Sequence, residues 1–295
     1  MEIIFDCVYI IESLPTEGRR TGSELYSDLL KREEYKNDGF KAILETPTTK
    51  IEFTSLLDRI LQECIESGRS PVIHFEIHGS TDHKGLVLAS GEFVGWDVLS
   101  DKLRAINCQL KNGLLITMGV CHGCYFMSHE IATKPAVFQA IIASFAEVTE
   151  NDIYMQFYDF YQELFSSFDL NLAYDKLIQA NPETIDKANY AFLSSEYIFA
   201  RSMVEYDEKK CTRKAFEQRA LETFKLSKIK FANIHEKQKA INVFIEQGLR
   251  TRNKYFQDAY DTFFMLDKYP DLQASVPFPR SILGMKEWYK KTYLD

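Results

Sequence analysis

The stretch Val72-Ile-His-Phe-Glu-Ile-His78-Gly79 is a largely apolar run with a polar end. A second stretch, Leu114-Leu-Ile-Thr-Met-Gly-Val-Cys121, has the same form and ends in a cysteine. Short runs of this kind are typical of strands that are covered on both faces of a parallel sheet. Between them, apolar residues recur at helical spacing and predict one helix: Leu99, Leu103, Ile106 and Leu110. The segment therefore predicts a strand, a crossover helix and a neighbouring parallel strand.

The rest of the first 200 residues alternates in the same way. Apolar runs predict further strands at 3–11, 40–45, 137–143 and 190–199, and a small hairpin at 86–94. One-faced apolar spacing predicts helices near 23–32, 50–67 and 153–168. Thr49 and Glu52 form the Thr-x-x-Glu pattern of a capping box before the second of these helices. We therefore predict an α/β domain over 1–200, with a mainly parallel sheet flanked by helices.

Residues 201–295 have a helical pattern and a different charge balance. Between Lys209 and Lys254 there are 13 Lys or Arg residues and 4 Asp or Glu residues, a local charge of +9, whereas the rest of the chain carries −17. This asymmetry predicts a separate helical C-terminal region with a candidate regulatory role. Its basic residues Arg250, Arg252 and Lys254 are candidates for binding an anion such as a nucleotide-type activating ligand, or an acidic partner protein. A solvated basic helix face is the plainer interpretation.

Composition restricts the function classes. The net charge of −8 argues against a specific nucleic-acid binder, and six cysteines in 295 residues are too few for a disulfide scaffold. Glu2 and Asp6 stand where a signal peptide is basic. No apolar run reaches the length of about 20 residues that spans a bilayer. We expect a soluble, cytoplasmic protein that needs neither a membrane nor a cofactor.

Reactive side chains follow the two strands quoted first. In an open parallel sheet, ligands bind at the carboxyl ends of the strands, where His78 and Cys121 are expected. A thiol and an imidazole on neighbouring strand ends can act as nucleophile and proton shuttle. Gly79 lets a backbone N–H approach a developing oxyanion without a side chain in the way. Alone, Cys121 is explained as a small core residue and His78 as a hydrogen-bonded surface residue. A catalytic site is favoured because the same combination, a buried strand followed by a reactive side chain, occurs twice.

These residues resemble the caspase-like cysteine peptidases, most closely their CHAT and separase branch. A third stretch extends the similarity: Ala140-Ile-Ile-Ala-Ser-Phe-Ala-Glu147-Val-Thr-Glu150-Asn-Asp152-Ile resembles a separase segment in which a strand precedes a helix. Two departures are Gly119-Val120, where a small residue and Ala are usual, and Phe145-Ala146, where the family has tryptophan. Gly119 also stands where calcium-dependent metacaspases have an aspartate.

The resemblance implies a His78–Cys121 dyad, an oxyanion hole formed by the backbone amides of Gly79 and Cys121, and a protein or peptide substrate. It also implies an acid in the S1 pocket, so that cleavage follows Arg or Lys. Glu147 is the first candidate for this acid, followed by Glu150 and Asp152. Stand-alone prokaryotic members of the family are commonly signal-activated effectors of antiviral (anti-phage) defence.

Three alternatives stay open from the residues. Cys121-His-Gly-Cys124 is a Cys-x-x-Cys motif at a strand end, as in thiol–disulfide oxidoreductases. Cys121, Cys124, His122 and His129 could together be zinc ligands, but their spacing is shorter than that of a standard Cys₂His₂ site. We therefore predict no metal. A catalytically inactive caspase-fold adaptor is the third alternative.

Overall fold

The computed structural model describes residues 3–180 and 190–294. Its strands are β1 (Cys7–Ser13), β2 (Lys41–Glu45), β3 (Pro71–Gly79), β4 (Gly85–Val87), β5 (Phe93–Gly95), β6 (Leu115–Met118), β7 (Ala140–Ser144) and β8 (Tyr190–Ser194). The α-helices of the first 180 residues are α1 (Thr21–Leu25), α2 (Lys31–Lys36), α3 (Lys50–Ser67), α4 (Trp96–Gln109), α5 (Glu150–Ser167) and α6 (Leu170–Gln179). Those that follow β8 are α7 (Ser195–Lys210), α8 (Arg213–Leu226), α9 (Ile234–Phe263) and α10 (Ile282–Tyr293).

The strands form one mixed sheet with the order β2-β1-β3-β6-β7-β8. The pairs β1–β2, β1–β3, β3–β6 and β6–β7 are parallel, whereas β8 is antiparallel to β7. The hairpin β4–β5 pairs with the end of β3. The predicted α/β class, with a mainly parallel sheet and C-terminal helices, is confirmed.

Apolar side chains from alternate strand positions separate the two faces of the sheet. Val8 and Ile10 belong to the core that includes α1, α5 and α6, whereas the Tyr9 hydroxyl between them donates to Glu63 of α3. This is the period of two that a strand covered on both faces must show. On α3 the predicted capping box is present: Thr49 Oγ1 accepts the Glu52 N–H at 3.3 Å.

The strand predicted at 190–199 is wrong in its second half. β8 ends at Ser194, and α7 begins at Ser195. Ile198, Phe199 and Met203 are buried from helical positions. A continuous apolar run fits a buried helix as well as a buried strand, because every residue of a short run is apolar in either case.

The chain divides into two compact units, Met1–Ile131 with Ala136–Ser195, and Ala132–Pro135 with Glu196–Asp295. The core of the second unit is aromatic: the Phe199 ring lies 5.1 Å from the Phe263 ring and 5.9 Å from the Phe256 ring, centroid to centroid. Its buried charge is Asp207, which is 5 % exposed and pairs with Arg252 and Lys286. None of the described helices is both long enough and apolar enough to cross a bilayer.

Glu130 is a buried carboxyl group of the first unit. Its side chain is 1 % exposed, and one oxygen accepts the Val137 N–H at 2.8 Å. The other oxygen lies 3.9 Å from the Arg104 guanidinium, which is too far for a hydrogen bond. Burial therefore dominates and raises the pKa of Glu130 to about 7, against the smaller effects of the Val137 N–H and the Arg104 charge.

We expect the free energy of unfolding to fall between about pH 5 and pH 7, and Glu130→Gln to remove part of this fall. Because the folded-state pKa lies above the ordinary value of 4.5, the folded protein retains a proton that the unfolded chain has released. At about 1.4 kcal/mol per pKa unit, Glu130 contributes roughly 3 kcal/mol to this pH dependence. Urea unfolding at pH 5 and pH 8 measures it. Glu66→Gln, on the exposed side of α3, is the matched control. An identical pH dependence in wild type and Glu130→Gln contradicts the assignment.

Candidate active site

The carboxyl ends of β3 and β6 lie side by side in the sheet. Val72 pairs with Leu115 and Phe75 with Met118, an offset of 43 residues, which also separates His78 from Cys121. The parallel ladder stops at the Gly119 N–H, which donates to Phe75 O at 2.8 Å. Beyond this point β3 pairs with β4 instead. The sheet therefore opens between the two strands at the level of the predicted dyad.

Gly79 touches the backbone of Cys121. A Cβ atom added to Gly79 would lie 1.9 Å from the carbonyl oxygen of Cys121 and 2.9 Å from its carbonyl carbon. No side chain fits such a space, so glycine is required by close approach rather than by an unusual backbone angle. The two sequence-predicted strand ends are thus in direct contact.

The Cys121 sulfur is partly exposed and lies against the segment after β7. Val148 N–H points at Sγ from 3.4 Å, and Sγ lies 3.7 Å from Val148 O. The Val148 N–H can donate to a Cys121 thiolate, and the Val148 carbonyl oxygen can accept from a Cys121 thiol. The sulfur therefore has a polar neighbour in either protonation state. The Cys121 N–H donates to no backbone oxygen among the described residues. The His78 imidazole is exposed and likewise makes no hydrogen bond within the described chain.

The predicted S1 acids flank the segment that contacts the sulfur. Glu147 directly precedes Val148, is exposed and makes no ion pair with any described residue. Glu150 and Asp152 belong to the first turn of α5, where Thr149 Oγ1 accepts the Asp152 N–H at 3.2 Å. Capping and the helix dipole account for two of the acids, but they give no structural reason for Glu147.

Two histidines that the sequence left without a role stack at the edge of the site. His122 has a left-handed backbone with φ of 60°, and its Nδ1 lies 3.0 Å from Phe145 O. The His83 ring lies 4.0 Å from the His122 ring and 4.5 Å from the Tyr125 ring. The sequence alone does not relate His83 to His122, because their contact depends on how the segment between β3 and β4 lies against the end of β6.

Cys124 differs sharply from Cys121. It is fully buried, and its thiol donates to Ala143 O at 3.0 Å. Burial raises the pKa of Cys124 to about 12, so this thiol is protonated at neutral pH. None of the six cysteines is in a disulfide.

The three basic residues proposed for an anion site differ in their surroundings. Arg252 is paired with the buried Asp207. Arg250 and Lys254 are exposed on α9 and have no ion-pair partner among the described residues. An anion can therefore reach Arg250 and Lys254 without breaking an existing pair, but Arg252 only in competition with Asp207.

Over residues 3–180 and 190–294, no three His, Cys, Asp or Glu side chains are grouped so that they could hold a metal ion. No protein-family model matches the chain, and no curated protein is similar enough to it to count as a match. Function is therefore inferred from the site itself.

Proposed function

We propose that this protein is a cysteine endopeptidase in which Cys121 is the nucleophile and His78 transfers the proton. One observation carries the proposal: the backbone of Gly79, next to His78, lies against the carbonyl group of Cys121. Two reactive side chains that are 43 residues apart in sequence thereby belong to one edge of the sheet. That edge is where ligands bind in open α/β sheets.

The proposed reaction forms and breaks a thioester. The Cys121 thiol gives its proton to His78, and the thiolate attacks the scissile carbonyl carbon. The oxyanion that forms is held by backbone N–H groups at Gly79 and Cys121. His78 then protonates the leaving amine, and in the second half it takes a proton from the water that hydrolyses the acyl-enzyme. The Cys121 N–H, which has no backbone acceptor among the described residues, is available for this role.

The two alternative functions have weaker support. An oxidoreductase with a Cys-x-x-Cys motif needs Cys124 to exchange with Cys121, but the Cys124 thiol is fully buried and donates to Ala143 O. A catalytically inactive adaptor has no need of an exposed imidazole and a partly exposed thiol at neighbouring strand ends. The peptidase accounts for both reactive groups.

We expect cleavage after basic residues, with Arg preferred to Lys. Glu147 is adjacent to the residue that contacts the nucleophile and has no partner in the described chain, so its carboxylate is available to pair with a guanidinium at two points. The combined change Glu147→Gln and Glu150→Gln should lower kcat/KM for Arg substrates by about 100-fold, the size expected when a bound charge loses its partner. Profiling a peptide library measures this.

The matched control for this experiment is Glu66→Gln, an exposed acid on α3. A preference for Asp at the cleavage position would contradict the basic specificity. Undiminished cleavage after Arg in the double variant would contradict the assignment of these acids.

We further propose that the enzyme is a cytoplasmic effector in anti-phage defence that is released by an activating signal. None of the six cysteines is in a disulfide, which suits a reducing compartment. The basic segment of the second unit, with Arg250 and Lys254 unpaired within the described chain, is suited to an anionic activating ligand or an acidic partner.

A further inference from the structure

Three polar side chains share one face of β3, because strand side chains alternate with a period of two. They are His74, Glu76 and His78. His74 is 0 % exposed and Glu76 is 1 % exposed, whereas His78 is exposed. A carboxyl group in a core is destabilising unless its oxygens are hydrogen-bonded. In the sequence, His74 and Glu76 are ordinary polar positions of a strand.

The Glu76 carboxyl group is held at both oxygens. His74 Nε2 lies 3.0 Å from Oε1, and Thr21 Oγ1 donates to Oε2 at 2.9 Å. The network continues from His74 Nδ1 to Thr117 Oγ1 at 2.7 Å, and from Thr117 Oγ1 to the Tyr161 hydroxyl at 2.8 Å. Five side chains on β3, β6, α1 and α5 are joined in this way.

Counting protons along the network indicates its charge. If Tyr161 donates to Thr117 and Thr117 donates to His74 Nδ1, then His74 Nε2 carries the hydrogen that Glu76 accepts. Every hydrogen in this arrangement has an acceptor, with a neutral imidazole and an ionised Glu76. The reverse direction leaves the Tyr161 hydrogen without an acceptor among the described residues, which is costly in a core. The hydrogen bonds therefore favour the carboxylate.

Glu76 also lies against the segment that carries the nucleophile. A Cβ atom added to Gly119, two residues before Cys121, would lie 2.7 Å from Glu76 Oε2. On the other side, a Cβ atom added to Gly22 would lie 2.9 Å from Glu76 Cγ. The carboxyl group is thus enclosed between α1 and the Gly119 backbone, and a side chain at either glycine would have to displace it.

We propose that Glu76 is a positioning residue for the candidate dyad: its buried carboxyl group, held between α1 and the Gly119 backbone, fixes the segment that leads to Cys121. This inference rests on the proposed function. Residues two apart on a strand face are about 7 Å from each other, so Glu76 is also the next residue to His78 on this face of β3. The proton still passes from Cys121 to His78 and then to the leaving amine. Glu76 neither gives nor takes one.

The other ionisable groups around Glu76 are paired or uncharged. Glu12 on β1 is neutralised by Arg20, whose Nε lies 2.5 Å from it. Tyr161 and Tyr190 face Glu76 from α5 and β8, and burial raises the pKa of both phenols. They are therefore neutral.

Glu76 itself has opposing influences on its ionisation. Burial is the largest influence and holds the pKa of Glu76 above its ordinary value, although the hydrogen bonds from His74 and Thr21 lower it. Loss of the Thr21 hydrogen bond therefore makes the carboxylate form harder to reach.

The test measures alkylation of Cys121 by iodoacetamide against pH, with mass spectrometry to identify the modified cysteine. Glu76→Gln keeps the shape of the side chain and removes its charge. If the segment before Cys121 shifts, the sulfur moves away from the Val148 N–H that lies 3.4 Å from it. We therefore expect the pH at which alkylation becomes fast to rise by about one unit, and kcat to fall about tenfold at neutral pH with KM changed less than about threefold. Thr21→Val keeps the charge and removes one hydrogen bond, so it should shift the profile in the same direction by less. Thr21→Val also serves if Glu76→Gln folds poorly.

Glu76→Asp, which retains a carboxylate, should recover part of the lost rate, whereas Glu66→Gln on α3 should change nothing. A purely structural Glu76 would lower the melting temperature without moving the alkylation profile, and that result overturns the inference. If wild type cleaves peptides while all variants alkylate alike, the inference fails and the proposed function stands. If the profile shifts but no variant or wild type cleaves, the inference stands and the proposed function fails.

Discussion

Replacement of Cys121 by alanine is expected to lower peptide cleavage by on the order of 10⁴-fold or more, because loss of a nucleophile leaves only binding and oxyanion stabilisation. Cys121 is the cysteine whose sulfur is partly exposed at the sheet edge and has a backbone N–H 3.4 Å away. Cleavage of a fluorogenic Arg peptide by purified wild type and Cys121→Ala measures the effect. Labelling by a peptidyl electrophile should disappear in parallel.

The matched control is Cys124→Ser. A serine hydroxyl can still donate to Ala143 O, as the Cys124 thiol does at 3.0 Å, so folding and cleavage should change little. An oxidoreductase would lose its activity in both variants, since disulfide exchange needs both sulfurs. Loss of cleavage in Cys124→Ser together with retained cleavage in Cys121→Ala would show that the wrong sulfur was chosen.

Much of the sheet could be predicted because buried strands have a simple requirement. β3 and β6 needed short, nearly continuous apolar runs, and both were visible in the sequence. The capping box at Thr49 and the cap at Thr149 were also predictable, since each depends on residues within one turn. The strand prediction was wrong after Ser194, because an apolar run is compatible with a buried strand and with a buried helix.

The site was predictable only in its two end residues. The contact of Cys121 with Val148 depends on the path of the chain after β7, and the stacking of His83 on His122 depends on how a hairpin folds. Glu76 looked like an ordinary polar position in a strand. Its proposed role depends on α1, which supplies the Thr21 hydroxyl to the carboxyl group and places Gly22 against the Glu76 side chain. Such contacts join segments that no local pattern relates.

Gly79→Ala is expected to damage the site more than a one-carbon change usually does. The added methyl would lie 1.9 Å from the Cys121 carbonyl oxygen, which is far inside the contact distance, so the backbone at one strand end must move. Overpacking of this kind costs about 1–3 kcal/mol of stability. A displacement near 1 Å at a catalytic centre lowers the rate by about 100-fold. The activity loss should therefore exceed what the fall in melting temperature explains. Gly68→Ala is the control: its φ of 67° makes an added methyl destabilising, but nothing lies within 4 Å of that methyl, so the melting temperature should fall without a change at the site. Peptide cleavage, the rate of Cys121 alkylation and thermal unfolding of the three proteins are compared. Full activity and an unchanged melting temperature in Gly79→Ala would mean that His78 and Cys121 are not joined through this backbone contact.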